Sequence, residues 1–297
     1  MTLAMDIQRV EPLPLETLYD GSTGTELPLP PELARFYGAM RFPLHEQRQY
    51  VIANLVTSLD GVVTLGIPGK AGGKEISGSN EQDRMLMGLL RAAADAVVVG
   101  AGTLRESEGK PLTAAKVYPP LGNAYAAFRE CLQKPREPLA VIVSASAELD
   151  PSMPVFKGEG QVLVVTTHEG ARHASELELP GTALVMAVEA EYRAGKGFIP
   201  AGAVLEAIRT VRACDIVLVE GGPHLLADFF TAGLVDEQFL TLSPQVVGRD
   251  GSGQRLGLVE GQTFAPEYPL WGRLSVVKRG ESHLFLRYTF GETAPTR

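Results

Sequence analysis

The rhythm of apolar and polar positions changes several times along this chain. Tyr50-Val-Ile-Ala-Asn-Leu-Val-Thr57 is almost continuously apolar and ends in Ser58-Leu-Asp-Gly61, a turn signal, so it predicts a buried strand. Met85, Leu86, Leu89, Leu90 and Ala93 then recur at helical spacing. Ser79 and Asn80 precede them as candidate caps, with acids in the first turn. Short apolar runs at Ala96–Val99, Leu139–Val143, Gln161–Thr166, Thr182–Val188 and Ile216–Val219 predict further strands. Helices are expected near Asn123–Leu132, Ala201–Arg212 and His224–Ala232. Glu237–Leu242, Leu274–Lys278 and Leu284–Phe290 predict late strands, the last two with no helix between them. Strands alternating with helices make this an α/β chain: a mostly parallel central sheet, helices on both faces and an antiparallel C-terminal edge hairpin.

The pattern also divides the chain. Residues 1–47 are rich in Pro, Glu and Gly and read as an irregular N-terminal arm with a short helix near Pro31–Ala39. Residues 48–291 read as one α/β domain and 292–297 as a tail. Thr64–Gly78, rich in glycine, reads as a mobile loop, and 108–137 as a long polar connection around its one helix.

Composition narrows the class. The chain has 297 residues, 45% of them hydrophobic and 21% charged, with a formal net charge of −8. That balance argues against a general nucleic-acid binder, which would need a basic face. No apolar run reaches the about 18 residues of a membrane span. There is no charged segment followed by an apolar one at the N-terminus, so no signal peptide is expected. Cys131 and Cys214 stand far apart with no CxxC spacing, which argues against a disulfide framework or zinc site and for a reducing cytosol.

Two glycine junctions carry candidate chemistry. Val97-Val-Val-Gly-Ala-Gly-Thr-Leu-Arg105 begins like a dinucleotide fingerprint, but Arg105 stands where GxGxxG needs its third glycine. Ile216-Val-Leu-Val-Glu-Gly-Gly-Pro-His-Leu-Leu226 is clearer: an apolar strand meets Gly221-Gly222, and Pro223 suits a first helical position. Bare N–H groups at such a helix start cradle a pyrophosphate. Two such junctions in one sheet would both lie at its carboxyl end, where open α/β sheets bind ligands. The Gly69-Lys70 and Gly73-Lys74 pairs fail the P-loop pattern, and His168 and His173 lack ligand spacing, so no metal is expected.

Three segments together resemble a known family. They are Asn54-Leu-Val-Thr-Ser-Leu-Asp-Gly61, Leu90-Arg-Ala-Ala-Ala-Asp-Ala-Val-Val-Val-Gly-Ala-Gly-Thr103, and Glu220-Gly-Gly-Pro-His-Leu-Leu226 followed by Ala232-Gly-Leu-Val-Asp-Glu237. In that order, across roughly 48–290, they are similar to the reductase domain of riboflavin biosynthesis (the RibD C-terminal or pyrimidine reductase family), which has a dihydrofolate-reductase-like fold. No H-x-E or P-C-x-x-C pattern of a zinc deaminase occurs in the chain.

The resemblance implies NADPH as hydride donor, a small-molecule pyrimidine substrate, a homodimer and a cytoplasmic enzyme. It implies cofactor contacts from Thr57, Gly100, Gly102, Thr103, Ser144 and the helix start Gly221, Gly222, Pro223, His224, Leu225 and Leu226. It assigns substrate contacts to Asn54, Asp60, Arg91, Leu112 and Glu220, with Asp60 and Glu220 as catalytic or orienting acids. Read from the residues alone, Thr57 and Ser144 could equally cap strand ends, Asp60 could belong to an Asp-Gly turn, and Arg91 could pair with an acid. The segment Arg105–Lys116 lacks the arginine that this family sets against the substrate phosphate, with Lys116 offset from its place. Two other readings therefore stay open: reduction of another acceptor such as dihydrofolate or a related pterin or imine, and nucleotide binding without catalysis.

Overall fold

The computed structural model describes residues 13–43, 48–67, 72–193, 196–251 and 253–291. The 292–297 tail, the ends of the N-terminal arm and the middle of the 64–78 loop lie outside the described residues.

The N-terminal part contains β1 (Glu16–Asp20), β2 (Thr25–Glu26), α1 (Pro31–Tyr37) and β3 (Arg41–Phe42). Then follow β4 (Tyr50–Thr57), α2 (Gly73–Ile76), α3 (Glu81–Ala93), β5 (Ala96–Gly100), α4 (Ala101–Glu106), α5 (Ala114–Val117) and α6 (Gly122–Cys131). The middle holds β6 (Leu139–Val143), β7 (Val162–Thr167), α7 (His168–Glu176), β8 (Ala183–Val188), and a ribbon of β9 (Glu191–Arg193) and β10 (Lys196–Phe198). The last part is α8 (Ala201–Val211), β11 (Ile216–Val219), α9 (Pro223–Thr231), β12 (Glu237–Leu242), β13 (Arg273–Gly280) and β14 (His283–Thr289).

Ten strands form one sheet in the order β1-β13-β14-β12-β4-β11-β5-β6-β7-β8. From β12 to β8 all neighbours are parallel, and β14, β13 and β1 add antiparallel strands at one side. This is the mostly parallel sheet with an antiparallel hairpin expected from the sequence. Because side chains alternate along a strand, each central strand feeds two cores. Ile52, Val97, Val99, Ile142 and Leu218 point into one, covered by α1, α3, α5 and α6. Val51, Ala53, Val98, Val141, Val217 and Val219 point into the other, covered by α8 and α9.

The segment read as an irregular arm is ordered where it is described. β1 pairs with β13 and so becomes the outer strand beyond the hairpin. Leu15, Leu33, Phe36, Tyr37, Met40 and Phe42 are buried in the first core. Arg287 in turn donates to the Arg41 carbonyl and lies between the Phe42 and Phe239 rings.

The topology also makes a crevice. β11 is inserted between β4 and β5 late in the chain. The chain leaves β5 through α4, whose Ala101 and Leu104 belong to the first core. It leaves the adjacent β11 through α9, whose Leu225, Leu226 and Phe229 belong to the second. Connections that part to opposite faces open a gap at the carboxyl ends of neighbouring strands.

Candidate active site

The two glycine junctions meet at that gap. Gly100 N–H donates to the Gly221 carbonyl at 2.8 Å, and Glu220 N–H to the Val98 carbonyl at 3.0 Å. Gly221 has φ +94°, a conformation that favours glycine. A Cβ on Gly222 would stand 3.0 Å from Thr103 Oγ1, so glycine there lets the second junction close on the first. Two helices are capped by side chains: Asn80 accepts from Asp83 N–H on α3, and Thr167 from Gly170 N–H on α7. At α4 and α9 the caps are Gly100 and Gly222, with no side-chain bond. The first-turn N–H groups of α9 are thereby left for another acceptor.

A cavity of about 610 Å³ opens beside these turns, the size range of small-molecule sites. Twelve of the sixteen expected site residues line it: Asn54, Arg91, Gly100, Gly102, Thr103, Leu112, Ser144, Glu220, Gly222, Pro223, His224 and Leu225. The Thr103 hydroxyl has no partner among the described residues. Ser144 Oγ accepts from Ala147 N–H at 3.1 Å.

The other side of the cavity is built on α3 and β4. Arg91 grips Glu220 with its fork, Nε to Oε1 at 2.9 Å and Nη2 to Oε2 at 2.7 Å. Both side chains are nearly enclosed, 10% and 5% exposed. Arg91 Nη1 also reaches the Pro111 and Thr113 carbonyls at 3.4 and 3.3 Å, tying the 111–113 loop to α3. Arg84 adds a second tie, donating to the Val117 carbonyl. The guanidinium expected to contact substrate is thus engaged with Glu220 and that loop. Asn54 is 5% exposed, lines the cavity, and its amide has no partner among the described residues. Lys110, just before the 111–113 loop, and Lys116, on α5 just after it, also line the cavity. Lys110 pairs with Glu108 on the open surface, and Lys116 has no ion-pair partner among the described residues.

Four expected contacts lie off the cavity wall. Thr57 Oγ1 faces the Ser58 and Val62 carbonyls, 3.2 and 3.4 Å away, inside the turn. Leu226 points into the second core, fully buried. Gly221 shapes the turn behind Gly222. Asp60 clasps the turn to the loop after β12. Its Oδ1 accepts from Ser58 Oγ at 2.7 Å and Val247 N–H at 3.0 Å, and its Oδ2 from Gly248 N–H at 2.7 Å. The Ser58 hydroxyl and then the Val247 amide, by favouring the charged carboxylate, hold its pKa down to about 2. Asp60 thus ties the turn to the loop after β12 and does not line the cavity.

The cavity also has walls the sequence did not point to. Gly197, Phe198 and Ile199 reach it from the β9–β10 ribbon, and Asp228 from α9. Their one sequence signal is an aromatic residue just before Pro200 and the α8 start, which is too common to select. Among the described residues no group of three or more His, Cys, Asp or Glu is placed to hold a metal ion. None of the described helices is long and apolar enough to cross a membrane.

The chain is similar to known proteins over the same region. The family model of the RibD C-terminal domain matches residues 49–270. A 2,5-diamino-6-ribosylamino-4(3H)-pyrimidinone 5′-phosphate reductase of Methanothermobacter thermautotrophicus is 28% identical over 68% of this chain and 80% of its own length. Riboflavin biosynthesis protein RibD of Mycobacterium tuberculosis is 25% identical over 71% of this chain but 48% of its own length. Among solved structures, a pyrimidine reductase-like protein of Corynebacterium diphtheriae superposes with a TM-score of 0.62 at 20% identity, over 82% of this chain and 93% of that one. A deaminase/reductase of Thermotoga maritima gives 0.60 at 20% identity, over 82% and 57%. With its strand–glycine–helix junctions in place and three quarters of its length under one family model, this chain belongs to the RibD C-terminal domain family.

Proposed function

We propose that this chain is an NADPH-dependent reductase of a phosphoribosylamino-pyrimidine intermediate of riboflavin biosynthesis, acting in the cytoplasm as a homodimer. One observation carries the reading. A single cavity joins an uncapped helix start at Gly222 to a buried polar cluster of Asn54, Arg91 and Glu220. The donor set fits a dinucleotide phosphate: the α9 first-turn amides and the unpartnered Thr103 hydroxyl converge, and a Cβ at Gly222 would crowd them. Gly100, Gly102, Thr103, Gly222, Pro223, His224 and Leu225 would hold the cofactor's phosphates, and Ser144 its adenosine end. Bound there, NADPH supplies a hydride for C1 of the ribosyl imine, leaving a ribityl chain.

The chain's own groups position the acceptor. The Asn54 amide offers a donor and an acceptor to a pyrimidine edge. Glu220, kept in one rotamer by the Arg91 fork, accepts from the substrate. Leu112 and Met87 give apolar walls that exclude water. The phosphate falls to Lys110 and Lys116, the cavity's cations not held by a buried partner. The accompanying proton comes from water, since Glu220 is paired and Asp60 is away from the cavity. Rate then comes mainly from alignment of donor and acceptor carbons.

The test is consumption of NADPH by purified protein offered 2,5-diamino-6-ribosylamino-4(3H)-pyrimidinone 5′-phosphate, 5-amino-6-(5-phosphoribosylamino)uracil and dihydrofolate in separate assays. Turnover of either pyrimidine supports the reading. Turnover of dihydrofolate alone favours the other acceptor class, and binding without turnover favours a nucleotide-binding protein.

A further inference from the structure

We infer that Phe198, backed by Arg193, is the surface on which the adenine base of the dinucleotide stacks. The inference rests on the nicotinamide-nucleotide reading of the cavity and goes beyond it, to residues that carry no glycine motif.

In the β9–β10 ribbon Arg193 pairs with Lys196 and Phe198 with Glu191, so Arg193 and Phe198 are diagonal neighbours on one face. The Arg193 guanidinium lies over the Phe198 ring, 4.3 Å from its centroid. Nη1 of the same guanidinium is bonded to Asp228 Oδ1 at 2.8 Å. The Gln262 side-chain oxygen, in the amide orientation that satisfies both its ends, sits 2.6 Å from Nη2. Asp228 is one helical turn beyond His224 on α9. The ring is therefore anchored to the helix whose start faces the phosphates, while also lining the cavity.

Strand order decides which ring of the dinucleotide meets it. The substrate cluster lies at β4 and β11, so the reacting nicotinamide must lie there. The phosphates sit at the β11–α9 junction. The remaining cavity runs past β5 to the end of β6, where Val143, Ser144 and Ala145 line it together with Phe198. An aromatic ring there, with a cation 4.3 Å from its centroid that does not itself line the cavity, suits a flat heteroaromatic base.

Binding of NADPH, of adenosine 2′,5′-bisphosphate and of reduced nicotinamide mononucleotide is measured by fluorescence or calorimetric titration on the full chain and on Phe198→Ala, Phe198→Tyr and Arg193→Met. The inference predicts that Phe198→Ala weakens NADPH and the bisphosphate by about tenfold or more, with the mononucleotide unchanged. Phe198→Tyr retains binding, and Arg193→Met shows a smaller loss in the same two ligands. Unchanged bisphosphate binding in Phe198→Ala overturns it, as does an equal loss of the mononucleotide. Failure of the unsubstituted protein to bind any of the three would overturn the nucleotide reading itself, and this inference with it.

Discussion

Arg91 and Glu220 come from α3 and from the end of β11, 129 positions apart, and meet as a two-pronged ion pair on the cavity wall. The pair joins the substrate side of the crevice to the turn that carries Gly221 and Gly222. Its near-complete enclosure sets its energetics. Removing one partner leaves a buried charge without compensation, which costs about 3 kcal/mol or more. Arg91→Ala is therefore predicted to lower unfolding free energy by about that amount in urea denaturation. Replacing both partners, Arg91→Met with Glu220→Leu, recovers most of the stability but not the turnover. A double variant as active as the parent would show that the pair is architectural only.

Asp60 separates positioning from chemistry. Its pKa of about 2 lies below the ordinary carboxylate value, so its stabilising contacts are complete above about pH 4 and are lost as pH falls toward 2. From pH 5 to 8 it does not titrate. Asp60→Asn is predicted to speed hydrogen exchange at the Val247 and Gly248 amides while leaving the shape of the kcat/KM pH profile unchanged. A pH profile that loses an ionisation in this variant would make Asp60 a proton-transfer group.

Asp83 carries the opposite sign. Burial pushes its carboxyl up to about 6, against the pull of the Thr241 and Ser77 hydroxyls, and Glu220 adds a smaller upward push. The folded protein then holds a proton that the unfolded chain has released between about pH 4 and 6. Stability should fall as pH rises through that window and level off above it. Asp83→Asn is predicted to flatten the fall, with thermal unfolding compared at pH 5 and pH 8. An equal slope in both proteins would contradict this.

The cation account of the phosphate end predicts a selective loss. Lys116→Ala should raise KM for the phosphorylated pyrimidine about tenfold, in line with one charge-assisted hydrogen bond, and Lys110→Ala less, because Lys110 is shared with Glu108. Neither should change KM for the dephosphorylated nucleoside. Equal effects on both substrates would assign the lysines to loop packing.

Much of the sheet was legible because burial on both faces writes uninterrupted apolar runs such as Val97–Val99 and Ile216–Val219. β1 was not, since all five of its side chains are exposed: it joins β13 by backbone pairing and by the polar contacts of Lys278 with Thr17 and Arg279 with Glu16, which write no apolar pattern. α7 was missed because it buries only Gly170 and Ala174 and depends on the Thr167 cap. In the site, the glycine junctions could be read because backbone geometry demands glycine there. The Arg91–Glu220 pairing could not, because spacing along the chain carries no sign of a partner so distant in sequence. Asp60 shows the same limit: one Asp-Gly turn serves a clasp or a catalyst with the same letters.

The path of the hydride itself decides whether this chain reduces the ribosyl group. NADPH carrying deuterium at the transferable position of nicotinamide C4 is incubated with the protein and the phosphoribosylamino-pyrimidine, and the product is read by mass and NMR. The account predicts one deuterium, located on C1 of a newly formed ribityl chain. Deuterium elsewhere in the product, or consumption of the labelled cofactor with the ribosyl group unreduced, would contradict it.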